Sequence, residues 1–202
     1  MEMLIPLSGT DPTATAPNLV YSGPQYDTIC CYAQTAGHRE VMGYSFAVPM
    51  EAPRASRTEW FRVLPDLIIP RQVVSEAGVD VMPEGESAVG HMEDALDERY
   101  AEEFPDGVTR VMWHSHMGGH AGFSDKDVNT HHNFALWPFM MFVVVNRYGE
   151  ASGNFEQYQP RRMGGPLNLW VAREVPDALT ITATIKQQCV IRKLPARKSP
   201  RA

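Results

Sequence analysis

The chain has few of the features that mark secreted or membrane-bound proteins. Its 202 residues contain three cysteines, Cys30, Cys31 and Cys189, and an odd number with two adjacent does not build a disulfide framework. The N-terminal residues lack the basic and apolar regions of a secretory signal. No apolar run reaches the length of a transmembrane helix. We therefore expect a cytoplasmic protein with reduced cysteines and no membrane partner.

Basic residues are scarce in the body of the chain. Lys and Arg number 18 against 24 Asp and Glu, which gives a formal net charge of −6. Without a basic patch in the body, nucleic acid is not expected as a partner. The exception is a C-terminal cluster that we interpret as a solvated basic tail over residues 191–202: Arg192, Lys193, Arg197, Lys198 and Arg201.

Length and hydrophobic content predict a single domain. With 44% hydrophobic residues the chain can bury a sizeable core, and its length fits one domain with insertions and tails. We predict an irregular N-terminal arm over residues 1–24, the domain over residues 25–190, and the basic tail after it. The oligomeric state stays open.

An acidic segment stands apart within this domain. Residues 84–106 hold nine acidic residues and a single basic one, Arg99. Apolar residues recur among them at helical spacing, which predicts an amphipathic helical insertion starting near Ser87. The acidic residues are typical of a solvated outer face. A second interpretation is a surface that selects a basic partner protein.

Apolar runs bounded by proline and glycine predict the other elements. Helices are expected over residues 26–36 and from Ser124 to about residue 136. Strands are expected over residues 40–48, 60–64, 67–69, 108–116, 140–145, 153–159, 167–172 and 179–186. The mixture of strands with two or three helices predicts a mixed α/β (α+β) fold, in which helices pack on a sheet.

One motif has the composition of a catalytic metal site. His114 and His116 end an apolar run and are two residues apart, so on a strand their side chains point to the same side, away from Trp113 and Ser115. Ser124 and Asp127 follow with the spacing of a helix start. Two histidines and one aspartate would leave a fourth coordination position open for water, which is the pattern of a catalytic zinc site.

Two more residues complete this chemistry. Zinc would lower the pKa of a bound water from about 15.7 to roughly 7, and a carboxylate is suited to accept its proton and return it to the leaving group. Glu40 begins an apolar strand. Burial of an unpaired carboxylate costs free energy, so a glutamate at this position suggests a functional role. Ser124 could donate a hydrogen bond to the oxyanion of the reacting carbonyl. These parts make up a metal-assisted amide hydrolase.

Glu40, His114-Ser115-His116 and Ser124-x-x-Asp127 together match the JAMM motif, E…H-x-H-x7-S-x-x-D. Over about residues 26–159 the chain therefore resembles the MPN+ (JAB domain) zinc metallopeptidases. The resemblance implies an MPN/JAB-like (cytidine-deaminase-like) curved β-sheet flanked by helices and one zinc ion per chain. It implies hydrolysis after the C-terminal Gly-Gly of a ubiquitin-like or sulfur-carrier-like protein. It makes His114, His116 and Asp127 the zinc ligands, Glu40 the general acid/base and Ser124 the oxyanion stabiliser.

Other interpretations remain beside this one. The chain could be a scaffold or assembly protein of the same type that acts by binding, or a peptidase of the phage tail-assembly kind. A zinc deaminase would need a P-C-x-x-C motif, which the sequence lacks. His120, between glycines, is interpreted as a substrate-binding loop residue rather than a ligand. His131 lies four residues after Asp127, on the same helix face, and is interpreted as a neighbour of the ligands or a surface residue.

Overall fold

The computed structural model describes residues 2–7, 10, 15–52, 58–76, 78–133, 139–157 and 163–174. This part of the chain forms ten strands and three helices. The strands are β1 (Glu2–Pro6), β2 (Asn18–Ser22), β3 (Met42–Pro49), β4 (Trp60–Ile68), β5 (Gln72–Ser75), β6 (Gly78–Val81), β7 (Thr109–His116), β8 (Phe139–Asn146), β9 (Ala151–Gln157) and β10 (Met163–Glu174). The helices are α1 (Gly23–Ala36), α2 (Pro83–Tyr100) and α3 (Asp125–Asn133).

The chain divides into two units. The larger unit, Leu4–Arg173, holds the candidate site. The other unit consists of Met1–Met3 and Glu174–Ala202, of which the structure describes residues 2, 3 and 174. The predicted basic tail and the predicted strand over residues 179–186 lie outside the described residues. Among the helices of the described part, none has the length and apolar character needed to cross a membrane.

The main sheet closes on itself. Its strands follow the order β10-β2-β4-β3-β7-β8-β9, and β9 pairs back onto β10, so seven strands form a closed barrel with β1 added beside β10. Closure depends on β10, which pairs with β9 over Met163–Leu167 and with β2 over Asn168–Ala172. One strand thus satisfies the backbone groups of two edges that would otherwise stay open.

The closed barrel corrects the predicted fold class. The MPN/JAB-like (cytidine-deaminase-like) curved sheet flanked by helices, and with it the mixed α/β class, is wrong. Most elements are strands, the sheet is closed, and the described part has only three short helices. Periodicity identifies strands but not the partner of each strand, and the partner of β10 decides between a curved sheet and a barrel.

Several element boundaries also differ from the predictions. Two strands, β1 and β2, lie within residues 1–24, where an irregular arm was expected. Helix α2 begins at Pro83 rather than near Ser87. Strand β4 runs through Pro65, which was expected to end it. Pro65 lies where the pairing register of β3 and β4 shifts, between the pairs Ser45–Leu67 and Ala47–Val63. Proline is tolerated there because a bulge leaves backbone N–H groups unpaired.

Alternation along the strands separates two cores. On β7, Val111 and Trp113 face a core that includes Tyr26, Ile29 and Ala33 of α1. Met112, one residue out of phase, faces the second core, which includes residues of α2. His114 continues the phase of Met112, and so its ring lies on the side of the barrel that α2 covers.

Helix α2 uses part of its acidic surface inside the fold. Glu93 pairs with the buried Arg110, and the Asp97 carboxylate accepts a hydrogen bond from the backbone N–H of Val108 at 2.7 Å. These two carboxylates fix α2 against the start of β7. The predicted amphipathic helix is present, but its acidic residues do not all form a solvated face.

Strand β3 is tightly packed at Gly43. A Cβ added there would lie 2.5 Å from the Trp113 ring and 2.8 Å from the carbonyl oxygen of Ile68. We therefore expect Gly43→Ala to lower the free energy of unfolding by about 1–3 kcal/mol, the usual cost of overpacking a core. Urea unfolding of both proteins measures the difference.

Gly90→Ala is the matched control for Gly43→Ala. Gly90 lies inside α2, and a Cβ added there would meet no atom within 4 Å. Alanine in a helix interior is more stable than glycine by about 0.5–1 kcal/mol, so this variant should gain stability. A Gly43→Ala protein as stable as wild type would contradict the packing described here.

Candidate metal centre

The end of β7 presents both histidines of the motif on one side of the sheet. His114 pairs with Met42 on β3 and with Val144 on β8, and His116 pairs with Asn146 on β8. Neighbours on both sides of His114 fix its backbone, and its side chain is buried. Both imidazoles enter the site through Nε2. Trp113 and Ser115 point to the opposite side, as their parity predicts.

The start of α3 supplies the carboxylate. Ser124 precedes the helix, and its hydroxyl accepts the backbone N–H of Asp127 at 3.2 Å, while its own N–H donates to Asp127 Oδ2 at 2.6 Å. This reciprocal pair is a capping box with aspartate at its third helical position. The Ser124 hydroxyl also donates to Oδ2, at 2.7 Å. Ser124 therefore fixes the orientation of the carboxylate through Oδ2, and each carboxylate oxygen also faces one of the two histidines.

The three side chains converge on one point. The Nε2 atoms of His114 and His116 lie 3.1 Å apart. His114 Nε2 lies 3.2 Å from Asp127 Oδ1, and His116 Nε2 lies 3.2 Å from Asp127 Oδ2. Within the described part of the chain, these residues form the one group of His, Cys, Asp or Glu side chains placed to hold a metal ion. The group could therefore hold a metal.

The spacing within the group fits a small tetrahedral ion. Zinc binds histidine nitrogen and carboxylate oxygen at about 2.0–2.1 Å, which places the ligand atoms of a tetrahedron about 3.3 Å apart. The distance between the two Nε2 atoms, 3.1 Å, and the 3.2 Å distances from His114 to Oδ1 and from His116 to Oδ2 are close to that value. A calcium ion would need more oxygen ligands at longer distances. Two nitrogens and one oxygen are a donor set that transition metals and zinc prefer.

The electrostatics keep Asp127 ionised. Burial alone would raise the pKa of its carboxyl, but hydrogen bonds from His114, His116 and Ser124 outweigh burial and hold that pKa well below its usual range. In the metal-free protein the hydrogen bond to Asp127 raises the pKa of His116, although burial opposes the rise. A negative charge beside two imidazoles attracts either protons or a metal cation.

Glu40 lies on the wall of the same cavity. A cavity of about 280 Å³ is lined by Glu40, His114, Ser124 and Asp127 among others. The charge of Glu40 also contributes to the raised pKa of His116, after the larger effect of Asp127. The structure therefore brings the predicted base to the predicted ligands.

Ser115 secures the segment that carries Glu40. Its hydroxyl accepts the backbone N–H of Val41 at 3.0 Å, and its own N–H donates to the Val41 carbonyl at 2.8 Å. On the other side, the Glu40 N–H donates to the carbonyl of Ser75 at 3.0 Å. Ser115 thus points away from the metal group and still acts on the site, because it joins the Glu40 segment to the histidine strand.

Asn146 is a site residue that the sequence does not reveal. It is fully buried at the end of β8, beside His116 in the sheet. Its amide nitrogen donates to the carbonyl of Gly119 at 3.0 Å and to Glu150 at 2.7 Å. These contacts fix the loop that follows His116. An asparagine at the end of an apolar run is the only sequence signal, and it also suits an ordinary turn.

The two additional histidines lie outside the ligand group. His120 is exposed, and its ring folds against Gly122. His131 is buried and lines the cavity, with its ring stacked on Phe142 at a centroid distance of 3.7 Å. His131 therefore lies beside the cavity and not on the surface, and its contact with Phe142 joins α3 to the barrel.

The histidine–aspartate group predicts opposite effects of pH with and without metal. The folded pKa of His116 lies above its ordinary value of 6.5. Its stabilising contribution is therefore complete below that unfolded pKa and is lost as the pH rises through the folded pKa. The metal-free protein should thus unfold at a lower temperature at pH 8 than at pH 6. Asp127 is ionised throughout this range and does not alter the trend.

Bound metal should reverse this trend, because it binds neutral imidazole and competes with protons. With saturating zinc, the increase in stability over the metal-free protein should be larger at pH 8 than at pH 6. Thermal unfolding with chelator and with zinc at both pH values measures the two slopes. Identical pH slopes under the two conditions would contradict a metal bound through His116.

Comparison with known proteins does not assign the chain to a family. No family model and no curated protein matches it. Among solved structures, it is similar to the solution structure of a protein from Desulfitobacterium hafniense, with 13% sequence identity and a TM-score of 0.38. The match covers 75% of this chain and 92% of the other. A similarity this low does not support a function.

Proposed function

We propose that the protein is a JAMM-type zinc metallopeptidase. The observation that carries this proposal is the convergence of His114, His116 and Asp127 at spacings close to a tetrahedral edge, with Glu40 on the same cavity wall. The proposal rests on this motif and its geometry, not on the fold. One zinc ion per chain would be held by the two Nε2 atoms and by the Asp127 carboxylate.

When bound, zinc would supply a water of lowered pKa and a positive charge that polarises the substrate carbonyl. Glu40 would accept the proton of that water and later deliver it to the leaving amine, which is the ordinary work of a general acid/base. Ser115 and Ser75 would keep the Glu40 backbone in place through their hydrogen bonds to residues 40 and 41.

Ser124 would have two roles, one before and one after a cation binds to Asp127. Its hydroxyl donates to Asp127 in the present geometry. A cation on Asp127 would weaken that hydrogen bond, because it draws electron density from the carboxylate. The hydroxyl could then turn toward the oxyanion that develops on the substrate carbonyl, where one donor contributes about 3–4 kcal/mol.

The proposed substrate is an amide bond after Gly-Gly at the C-terminus of a ubiquitin-like or sulfur-carrier-like protein. The cavity of about 280 Å³ is slightly smaller than the usual ligand pocket, which occupies about 300–1,000 Å³. A chain without side chains at the cleavage point suits such a space. The proposal covers both a linear peptide bond and an isopeptide bond at this position.

A cleavage assay tests the proposal. Two carrier proteins joined through Gly-Gly, one by a peptide bond and one by an isopeptide bond, are incubated with zinc-loaded protein, with chelator-treated protein and with chelator-treated protein after zinc is restored. We expect cleavage in the first and third samples. Zinc-loaded protein that cleaves none of these substrates would favour the scaffold interpretation.

A further inference from the structure

A second depression lies on the other side of Glu40. This groove of about 720 Å³ runs between the C-terminal half of α1 and the segment that joins β4 to β5. Its apolar surface includes Tyr32, Ile69 and Val74. Tyr32 is 41% exposed, and its ring lies against the Trp113 ring at a centroid distance of 6.4 Å. Because Glu40 lines both depressions, a chain lying in the groove would lie beside Glu40.

The base of the groove is held firmly. The side-chain oxygen of Gln72 accepts the N–H of Met42 at 2.9 Å, and its amide nitrogen donates to the Met42 carbonyl at 2.9 Å. The Arg71 carbonyl accepts the N–H of Met82, which precedes α2. These bonds join the β4–β5 segment to β3 and to α2. The groove is therefore preformed, and ligand binding costs little conformational entropy of the protein.

Two arginines give the groove its charge. Arg39 and Arg71 are both exposed and line it. Elsewhere in the described part, Arg62, Arg110 and Arg173 each pair with a carboxylate. Neither Arg39 nor Arg71 has such a partner among the described residues. Two unpaired guanidinium groups beside an apolar surface are suited to bind carboxylates, since arginine presents a fork of donors to them.

The cavity on the metal side has the opposite composition. Asp80 and Glu86 line it, beside one lysine, Lys126. The two sides of Glu40 therefore differ in charge, with arginines on the groove side and carboxylates on the metal side. The protein has a formal net charge of −6, which repels acidic chains. The two arginines attract such chains locally in spite of this overall negative charge.

We propose that this groove binds an extended segment of the substrate protein, next to the cleaved bond, that alternates apolar and acidic residues. The inference rests on the proposed function for the metal centre and names the sequence that the site selects. Tyr32, Ile69 and Val74 contact the apolar side chains, while Arg39 and Arg71 bind the carboxylates. No residue of the acidic helix α2 lines this groove.

Peptide binding tests the inference independently of catalysis. The probes are fluorescent peptides that carry Leu-Asp-Leu-Glu or Leu-Lys-Leu-Lys, either before a C-terminal Gly-Gly or after a free N-terminal amine. They represent the two sides of the cleaved bond and leave no bond to hydrolyse. Fluorescence anisotropy with the full chain gives Kd for each. We expect one acidic peptide to bind at least tenfold more tightly than its lysine counterpart, since hydrogen bonds to charged groups are the stronger kind.

Charge reversal provides the decisive comparison. The double variant Arg39→Glu/Arg71→Glu should invert the preference and bind the lysine peptide more tightly. Arg147→Glu changes the net charge by the same amount per site but lies on the β8–β9 turn, where its side chain contacts Tyr148, so it should keep the acidic preference. The inference is overturned if the wild type binds none of the four peptides or binds each acidic peptide no more tightly than its lysine counterpart. It is also overturned if the double variant keeps the acidic preference.

Zinc content and cleavage of the Gly-Gly fusions are measured on the same preparations. Failure of the groove inference would leave both unchanged in the wild type. If the proposed function is wrong, the wild type will lack bound zinc or will not cleave the fusions, whether or not it binds the peptides. The two failures are therefore distinguishable.

Discussion

Glu40→Gln should lower the cleavage rate of a Gly-Gly fusion by about 100- to 10,000-fold, the usual contribution of a positioned general base. Glutamine keeps the size of the side chain and most of its hydrogen bonding but cannot accept the proton. The Glu40 side chain is not in the group that could hold the metal, so the variant should bind zinc as wild type does. Steady-state rates and zinc content on one preparation measure both effects.

Glu84→Gln is the matched control for this variant. Glu84 lies in the first turn of α2, is exposed, and makes the same charge change without lining the cavity. Its cleavage rate should stay within about twofold of wild type, as expected for a surface substitution. If Glu40→Gln cleaves as fast as Glu84→Gln, then Glu40 is not the base.

His116→Ala should weaken zinc binding by about 100-fold or more. Loss of a residue that only orients a ligand already costs about 10- to 100-fold in metal affinity, and His116 contributes a ligand atom itself. The two atoms left, on His114 and Asp127, would not complete a tetrahedron. Competition with a coloured zinc chelator gives the affinity of each protein.

His120→Ala tests whether any histidine near the site would show this effect. His120 follows the same strand end but lies outside the group that could hold a metal. Its removal should leave zinc affinity unchanged. If His120→Ala weakens zinc as strongly as His116→Ala does, the ligand set proposed here is wrong and His120 belongs to it.

The local geometry of the site could be predicted from the sequence because it depends on short-range rules. Strand parity separates His114 and His116 from Trp113 and Ser115, and the capping box places Asp127 one turn after Ser124. Both features are present in the structure. They need only a strand end and a helix start that are close in sequence, and a short loop joins them.

The closed barrel could not be predicted in this way. The strand predicted over residues 167–172 leaves out Gly164, Gly165 and Pro166, which belong to β10 and pair with β9. A Cβ at Gly164 would lie 2.9 Å from the Glu156 side chain, so glycine there permits a close approach between strands. The fate of such a segment depends on a partner strand, which local sequence rules do not identify.

The roles of the residues that support the site could not be predicted from the sequence either. The hydrogen bonds of Ser115 to Val41 and of Asn146 to Gly119 join segments far apart in the chain. Glu93 is one of the acidic residues of α2 for which the sequence suggests a solvated face or a surface for a basic partner, and it pairs instead with Arg110 on a buried strand. Such pairs follow from the packing of elements against each other, which the spacing of residues along one element does not contain.

Native mass spectrometry of the wild-type protein, after zinc is added in excess and the buffer is exchanged, tests the central claim most directly. The geometry of His114, His116 and Asp127 predicts a mass increase that corresponds to one zinc ion per chain, and no such increase in His116→Ala. Wild-type protein that keeps no zinc, or that keeps as much zinc as the variant, would contradict the metal centre and the function built on it.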